Sequence, residues 1–367
     1  MKSGPFRPLR LLVPEFPSPE ALLPWLKRIH GAGVYTNFGP LSLELENRLA
    51  AWWSRDQPVA VTAVSTGTAA LTLALAALGL PPDARVLVPA LTFPGTAAAV
   101  VAAGLRPVLG AVDEGSWQLT PRLAERAAAV GVVAAVPVAV FGQPVPVADW
   151  DALGDCTGLK VVVDAAGAIG DQRVGRNTGV VVSLHATKPL PAGEGGVFAA
   201  ANAEWVRRVR QRSNFGFVDG VAAWPAGNAK LSEWHAAAAL AGWESWPRRA
   251  WRLRRLAARY GRGLGRLDGR VRLPEGHRPW ARMTLVVRIR HRVTEDLRAA
   301  LGHAGIPTRR WYYPPLTAHP AYAGCETFGD TGATAELAEG LLGLPFHGGL
   351  EAADVERVVA ALDSLLT

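Results

Sequence analysis

The first half of the chain alternates short runs of β-branched residues with runs rich in alanine and leucine. The first kind of run predicts strands at 59–65, 85–89, 107–112, 132–140, 160–164, 179–185 and 196–200. The second kind predicts helices at 68–80, 94–103, 121–129 and 147–153. Near-continuous apolar strands that alternate with helices predict an α/β fold, with a mostly parallel sheet covered on both faces.

The second half has a different pattern. Helices are predicted at 232–240 and 246–267, a strand at 283–289, and further helices at 295–303 and 355–366. This order predicts a smaller α+β domain that follows a long connecting helix. We therefore divide the chain into an N-terminal arm with a large domain (1–245) and a small C-terminal domain (246–367), although no Pro/Gly/Ser-rich linker marks the boundary.

Composition excludes several classes of protein. With 49% hydrophobic residues the chain is not mainly disordered, and two cysteines exclude a disulfide framework or a cysteine-rich zinc module. We expect no metal site. The uncharged stretches 59–82 and 86–105 are interrupted by Gly, Thr, Ser or Pro, which favours buried core over a membrane span. Residues 1–12 contain no apolar segment of the kind found in signal peptides, so we expect a cytoplasmic protein.

The net charge of +8 has three interpretations. Only five of the 39 basic residues are lysines, which is typical of the arginine bias of a GC-rich genome. The charge could also steer an anionic substrate such as a nucleotide diphosphate. Nucleic-acid binding is a weaker third interpretation, since no helix-turn-helix, zinc-finger or RNP motif is visible, and we expect neither a nucleic-acid nor a membrane partner.

The turn Ser65-Thr-Gly-Thr68 lies between a predicted strand and a predicted helix. Free amides at a helix N-terminus bind phosphate, and Gly67 would let the backbone approach a ligand closely. The turn matches neither the ATP-binding P-loop nor the GxGxxG dinucleotide motif. By itself, it also suits an ordinary helix cap.

Two charged residues follow other predicted strands. Asp164 ends the strand at 160–164, and Lys188 lies just past the strand at 179–185, so both are expected at the ligand-binding edge of the sheet. A carboxylate there can hold a metal, orient a base, pair with a protonated heterocycle or cap a turn. A desolvated lysine can act as a nucleophile. A phosphate-binding turn, a carboxylate and a Schiff-base lysine together are the groups that pyridoxal phosphate (PLP) needs, so the set indicates a PLP site.

Further short segments are spread along nearly the whole chain. They are Val34-Tyr-Thr-Asn-Phe-Gly-Pro-Leu, Ser65-Thr-Gly-Thr-Ala-Ala-Leu, Pro89-Ala-Leu-Thr-Phe-Pro-Gly-Thr, Phe141-Gly-Gln-Pro, Asp164-Ala-Ala, Ser183-Leu-His-Ala-Thr-Lys188, Gly193-Glu-Gly-Gly, Asn214-Phe-Gly-Phe, Asn228-Ala-Lys-Leu-Ser-Glu and Thr308-Arg-Arg-Trp-Tyr-Tyr-Pro-Pro. With them the chain resembles the StrS/DegT-type sugar aminotransferases, PLP enzymes of fold type I. The segments at 228 and 308 resemble the branch that acts on 4-keto-6-deoxy nucleotide sugars.

The resemblance implies a fold type I enzyme with a mostly parallel seven-stranded sheet in its large domain. It also implies a homodimer with shared active sites. Lys188 would form the Schiff base and carry the proton, and Asp164 would pair with the pyridine nitrogen. The remaining cofactor contacts it implies are Gly67, Thr68 and Ser183 at the phosphate, Phe93 and Ala166 on the two ring faces, and Asn228 at the phosphate of the neighbouring subunit. Candidate substrate contacts are His185, Arg309, Arg310, Tyr312 and His319, although the 309–319 segment could instead be an interface loop.

The implied activity is a ping-pong transfer of an amino group from glutamate or glutamine to a keto group of a nucleotide-linked deoxysugar. Such an enzyme serves deoxysugar and natural-product biosynthesis. Two departures from the family pattern are visible: family members usually carry Gln or His where this chain has Gly167, and the segment between Gly170 and Ser183 is shorter than usual. Gly167 motivates one alternative, diverged PLP chemistry on a natural-product or cyclitol intermediate. The basic charge is the only support for the other alternative, a non-catalytic regulatory protein.

Overall fold

The computed structural model describes residues 8–290 and 293–366 of the chain. Helices and strands alternate through residue 212: α1 (Pro19–Ala32), α2 (Pro40–Trp53), β1 (Ala60–Val64), α3 (Gly67–Ala76), β2 (Arg85–Pro89), α4 (Pro94–Ala102), β3 (Arg106–Gly110), α5 (Pro121–Ala128), β4 (Ala134–Ala135), α6 (Val147–Thr157), β5 (Lys160–Asp164), β6 (Gly179–Ser183), β7 (Gly196–Ala200) and α7 (Ala203–Arg212). The later elements are β8 (Phe217–Val218), β9 (Val221–Ala222), α8 (Glu233–Leu264), β10 (Val271–Arg272), β11 (Leu285–Ile289), α9 (Glu295–His303), β12 (Glu326–Phe328), α10 (Thr331–Glu339), β13 (Leu341–Leu344) and α11 (Ala352–Leu365).

The large sheet has the order β1-β7-β6-β5-β4-β2-β3-β12. Strand β7 is antiparallel to both of its neighbours, and all the other pairs are parallel. The predicted α/β fold with a mostly parallel sheet is therefore confirmed. Seven of the strands correspond to the predicted runs, and the short β12 adds an eighth beside β3. A smaller antiparallel sheet has the order β10-β11-β13.

Two predicted elements differ from the structure. The strand predicted at 132–140 is reduced to β4 and an isolated bridge between Val138 and Asp164, because Pro137 has no N–H to donate to the sheet. The chain then turns at Phe141, whose φ is +52°. The helices predicted at 232–240 and 246–267 are one continuous helix, α8, with Pro247 inside it. The helix continues because residues on both sides of the proline, Trp246 before it and Ala250 and Leu253 after it among them, are buried in the packed core. The division of the chain at residue 245 stays a prediction.

The sheet is packed on both faces. Helices α3, α4 and α7 contact one face, while α2 and α6 contact the other, where α8 packs against α1 and α2. One buried carboxylate joins two of these helices: Glu233 at the start of α8 accepts hydrogen bonds from the amides of Leu41 (2.7 Å) and Ser42 (2.8 Å) at the start of α2. The helices cover the two faces of the sheet but not the carboxyl ends of its strands, where the candidate site lies. Within the described ranges, no helix combines the length and the apolar character needed to cross a bilayer.

Candidate active site

A cavity of about 550 Å³ lies at the carboxyl ends of the parallel strands. The turns that follow β1, β2, β4, β5 and β6 all reach it, and the N-terminal arm and the segment before β11 cover it from other sides. Ten of the predicted site residues line this cavity: Gly67, Thr68, Phe93, Asp164, Ala166, Ser183, His185, Lys188, Arg309 and Tyr312. The topology therefore brings together three motifs that are far apart in sequence.

The turn before α3 leaves its backbone amides open to close approach by a ligand. The Thr66 side chain caps the helix by accepting a hydrogen bond from the Ala69 amide (3.0 Å), and the amides of Gly67 and Thr68 belong to the first turn, which has no helical partner for them. A Cβ added at Gly67 would lie 2.8 Å from the Ser183 Cβ, and one added at Gly196 would lie 2.1 Å from the Thr66 carbonyl oxygen. Only glycine fits at both positions, so free amides and the Ser183 hydroxyl converge on one small space.

Gly67→Ala is expected to weaken PLP binding by ~10-fold, because the added methyl overpacks the contact with Ser183 and displaces the turn. A PLP titration followed by absorbance measures the change. The matched control is Gly31→Ala in α1, where an added Cβ meets nothing within 4 Å. Equal PLP affinity in Gly67→Ala and the wild type would show that the turn does not form the phosphate site.

The Asp164 carboxylate is held by two donors. The Thr96 hydroxyl donates to Oδ2 (2.8 Å), and the Ala166 amide donates to Oδ1 (3.1 Å). A second buried hydroxyl, that of Thr92, lies 2.9 Å from the Thr96 hydroxyl oxygen. The two threonines were not among the predicted site residues. Both lie in the quoted segment 89–96, four residues apart across the start of α4, and that segment was the signal that could have pointed to them.

Thr96→Val keeps the side-chain shape and removes the donor to Asp164. We expect turnover to fall by ~10-fold, since hydrogen bonds to charged groups are among the stronger ones and the freed carboxylate loses its fixed orientation. Steady-state kinetics measure the effect. Thr92→Val, which touches Asp164 only through Thr96, serves as the control and should have the smaller effect. An unchanged rate in Thr96→Val would remove the orienting role.

Lys188 lies in the turn after β6, and its backbone amide donates to the His185 carbonyl (2.8 Å). Burial lowers the pKa of the Lys188 amine, while the nearby Asp164 carboxylate acts in the opposite direction. A lowered pKa increases the fraction of neutral amine at a given pH, and the neutral amine is the nucleophilic form. The cavity thus holds a reactive lysine next to a fixed negative charge.

Aromatic rings form one wall of the cavity. Phe93 is 61% exposed, although it is a large apolar side chain, and its ring faces the cavity lining. Tyr312 stacks on Phe141 with ring centroids 5.3 Å apart, and burial raises the pKa of its hydroxyl. Phe141 was quoted as part of a motif but was not predicted as a site residue. Its backbone turn is what places the ring in the cavity.

The predicted substrate contacts divide into two groups. His185 lines the cavity, with its Nε2 3.7 Å from Glu194 Oε1, and Arg309 lines it together with Trp311. By contrast, Arg310 points away and donates to the Glu339 carbonyl (2.8 Å), and His319 lies near the Pro314 carbonyl (3.1 Å) outside the lining.

Asn228 is also outside the cavity. It is exposed and forms an isolated bridge with Asn214, away from the cavity of its own chain. Sequence reasoning missed Leu11, Leu12 and Met283, which come from the arm and from the C-terminal part of the chain, and it did not single out Trp311 within the quoted segment 308–315. No local motif marks Leu11, Leu12 or Met283, so only the tertiary fold brings them to the cavity.

The cavity fits PLP. The turn at Gly67 would hold the phosphate, Asp164 would face the ring nitrogen, and the Lys188 amine would reach the aldehyde. The exposed Phe93 ring offers an apolar surface for one face of the pyridine, and the small Ala166 leaves room at the other. The protein groups therefore match those of an organic cofactor: free amides suit its phosphate, a carboxylate suits its protonated ring nitrogen, and an amine suits its aldehyde.

Comparison with known proteins is consistent with this geometry. The model of the DegT/DnrJ/EryC1/StrS aminotransferase family matches residues 20–363. The chain is 33% identical over 354 residues to dTDP-3-amino-3,4,6-trideoxy-alpha-D-glucose transaminase of Streptomyces venezuelae, covering 92% of this chain and 90% of that relative.

Two solved structures extend the comparison. DesI, crystallised in the presence of its TDP-sugar product, superposes with a TM-score of 0.88 at 28% identity, covering 100% of this chain and 95% of that one. NtdA of Bacillus subtilis, solved with bound cofactor PMP, superposes with a TM-score of 0.83 at 24% identity, covering 95% and 81%. This last likeness concerns the fold alone.

Proposed function

The chain belongs to the DegT/DnrJ/EryC1/StrS aminotransferase family, and we propose that it moves an amino group from glutamate or glutamine to a keto group of a nucleotide-linked deoxysugar. It is a PLP-dependent aminotransferase. The observation that carries the proposal is the meeting of Lys188, Asp164 and the turn at Gly67 in one cavity. Transfer would follow a ping-pong order, because donor and acceptor would use the same cavity in turn.

Bound PLP supplies an aldehyde that condenses with amines and a ring that withdraws electrons from the carbon next to nitrogen. The protein's part is to hold the ring and to move protons. Asp164, fixed by Thr96 and the Ala166 amide, would keep its negative charge next to the ring nitrogen and so favour a proton there. The turn at Gly67 and the Ser183 hydroxyl would fix the other end of the ring.

Lys188 would act as the proton carrier. Its amine has a lowered pKa, so it can accept a proton at one carbon and return it at another without strong retention of that proton. Its place on the turn after β6, in the same cavity as Asp164 and the turn at Gly67, supports this role. The apolar wall of Phe93, Phe141 and Tyr312 would exclude water from the reacting atoms.

The rim of the cavity supports an anionic, sugar-like acceptor. Arg309 is an exposed cation on the lining and can pair with a phosphate or with the carboxylate of the amino donor. Trp311 and Tyr312 beside it offer apolar faces that suit the deoxygenated side of a sugar ring. The Streptomyces venezuelae relative named above is a transaminase of a dTDP-linked sugar, and DesI was crystallised with its TDP-sugar product, which supports the same class.

The test is direct transfer to an acceptor. PLP-loaded protein is incubated with glutamate and a dTDP-linked 4-keto-6-deoxy sugar, and mass spectrometry is used to look for the amino sugar. The same keto sugar without its nucleotide is the control. We expect amination of the nucleotide-linked form in strong preference to the free sugar. Equal amination of both, or of neither, would contradict the proposed acceptor class.

We also propose that the enzyme works as a homodimer in the cytoplasm. Several large apolar side chains are exposed outside the cavity mouth, and a second copy could cover them: Phe215, Phe217, Val221 and Trp234. Exposed Asn228 lies in the same region, from which it could reach the partner's cofactor phosphate. Sedimentation equilibrium should give twice the chain mass of 38.9 kDa, and a monomer would contradict the shared site.

The proposed location in the cytoplasm rests on the cysteines. Both are free, which suits a reducing compartment.

One observation favours a second candidate, a diverged PLP reaction on a natural-product or cyclitol intermediate. Gly167 lines the cavity, and a Cβ added there meets nothing within 4 Å. The space left by the missing side chain could admit a substrate group or a water molecule next to the ring. A PLP-loaded enzyme that ignores both glutamate and glutamine but reacts with another amine would favour this candidate over ordinary transamination.

A further inference from the structure

The exposed face of the second half of α8 carries a row of arginines that we call the arginine ridge. Successive members lie three or four residues apart, so the five that belong to α8 fall within about 80° of the helix circumference along roughly 21 Å of its length. The members are Arg248, Arg252, Arg255, Arg259 and Arg262 in α8, and Arg266 in the turn that follows it. All but the half-buried Arg259 are exposed, and none lines the active-site cavity.

Most of this charge has no counter-ion. Arg252 pairs with Glu15 (2.7 Å) and Arg266 with Glu356 (3.3 Å). Among residues 8–290 and 293–366, no acidic side chain forms an ion pair with the other four members, Arg248, Arg255, Arg259 and Arg262.

Local helix energetics do not account for the ridge. Like charges three and four residues apart repel each other and destabilise a helix. The helix dipole favours a cation only in the last turn, and Arg248 lies about four turns before the end of α8. A row of unpaired cations that weakens its own helix is explained better by an external partner.

One aromatic side chain lies on the same face. Trp251 is 55% exposed, and the Arg255 guanidinium carbon lies 4.5 Å from the centre of its ring. Tryptophan and arginine are the residues that most often carry the binding energy of protein interfaces. The ridge therefore combines a linear array of cations with an apolar anchor.

We propose that the arginine ridge docks an acidic α-helix of another protein. Carboxylates on one face of a helix recur every three or four residues, at the same ~5–6 Å interval as the ridge guanidiniums, so two helices side by side can form a series of ion pairs. Two copies of this chain cannot pair ridge against ridge, because like charges would then face each other. We therefore assign the ridge to a different, acidic protein.

The shape of the ridge disfavours nucleic acid as the occupant. The opposite face of the same helical segment is buried in the protein through Leu253, Leu256, Tyr260 and Leu264, so only the arginine face is open to a partner. Single strands bind in grooves with free aromatic faces, whereas the ridge is convex and Arg255 covers one face of Trp251.

The experiment uses the full PLP-loaded chain and two labelled synthetic helical peptides about five turns long. The peptides have one composition: in the first all glutamates share one face, and in the second they are spread around the helix. Fluorescence anisotropy should show tighter binding of the first. The variant R248Q/R255Q/R259Q/R262Q should weaken that binding by ~10-fold or more, and its remaining affinity should change less with salt concentration than that of the wild type. The control R122Q/R126Q neutralises two exposed arginines on α5 and should leave binding unchanged.

The ridge variant should melt at the same temperature as the wild type or higher, because the substitutions remove repulsion, and this keeps a loss of binding separate from a loss of fold. Equal affinity for the two peptides, or an unaffected ridge variant, would overturn the proposal. Tighter ridge-dependent binding of a single-stranded oligonucleotide or of phosphatidylglycerol vesicles would also overturn it, in favour of a nucleic-acid or membrane partner. Transamination does not enter any of these measurements.

Discussion

Lys188→Ala should abolish turnover, with a loss of ~10⁴-fold or more, while the protein stays folded. The substitution removes both the amine that bonds to the PLP aldehyde and the group that we propose moves the proton, and each contribution is large. Steady-state transamination gives the loss. The absorbance of bound PLP should change at the same time, because the cofactor can then be held only by the turn at Gly67, by Asp164 and by stacking.

The melting temperature distinguishes loss of the reacting amine from misfolding of the protein. Burial lowers the pKa of the Lys188 amine, which means that the folded protein disfavours the charged form, so its removal should not lower the melting temperature. Lys160→Ala is the matched control, because Lys160 is exposed at the start of β5, at the far end of the sheet from the cavity. Near-normal turnover in Lys188→Ala would exclude the lysine from the mechanism.

Asp164→Asn should reduce both PLP affinity and turnover, each by ~10²-fold or more. The amide keeps the side-chain shape but loses the negative charge that would face the protonated ring. Removal of one partner of a buried ion pair leaves the other charge uncompensated, which weakens binding strongly. PLP titration and single-turnover kinetics measure the two effects. Asp155→Asn, an exposed surface position that pairs with Arg176, is the control. Unchanged kinetics in Asp164→Asn would reject the assigned role.

The same variant should shift a pH profile. Asp164 raises the pKa of Lys188 against the larger effect of burial, so removal of its charge should lower that pKa further. Neutral amine is then available at lower pH. The rate of PLP capture, which rises with pH as Lys188 loses its proton, should begin to rise at lower pH in Asp164→Asn than in the wild type. A shift toward higher pH would mean that the two groups do not interact as described.

The sequence predicted those parts of the site that lie in local motifs. The strands before the turn at Gly67, Asp164 and Lys188 are uninterrupted apolar runs, and parallel strands necessarily bring their carboxyl ends to one edge. That rule, with no knowledge of the tertiary packing, is enough to place the three groups near each other. The continuous helix α8 was predicted as two helices, because a proline is a strong local signal and tertiary packing overrode it.

The remaining site residues could not be read from local pattern. Thr96 holds Asp164 from α4, 68 residues away in sequence, and Met283 and Leu12 reach the cavity from opposite ends of the chain. The quoted segment that contains Thr96 does not indicate its contact with Asp164, and the sequence around Met283 and Leu12 looks like ordinary core or loop. Arg310 shows the reverse case, since it adjoins Arg309 in the same motif, yet its guanidinium turns toward the backbone carbonyls of Ala338 and Glu339. Which of two adjacent arginines faces the cavity depends on the packing of α10.

The central claim is that this cavity runs an amino-transfer half-reaction through Lys188. The most direct measurement is the absorption spectrum of the purified protein with PLP. It is recorded before and after the addition of excess glutamate to one sample and of excess glutamine to another. We predict a band for PLP bonded to Lys188 that disappears on addition of the donor, as the cofactor takes up the amino group and its ring absorbance moves to shorter wavelength. A protein that forms no such band with PLP would contradict the account.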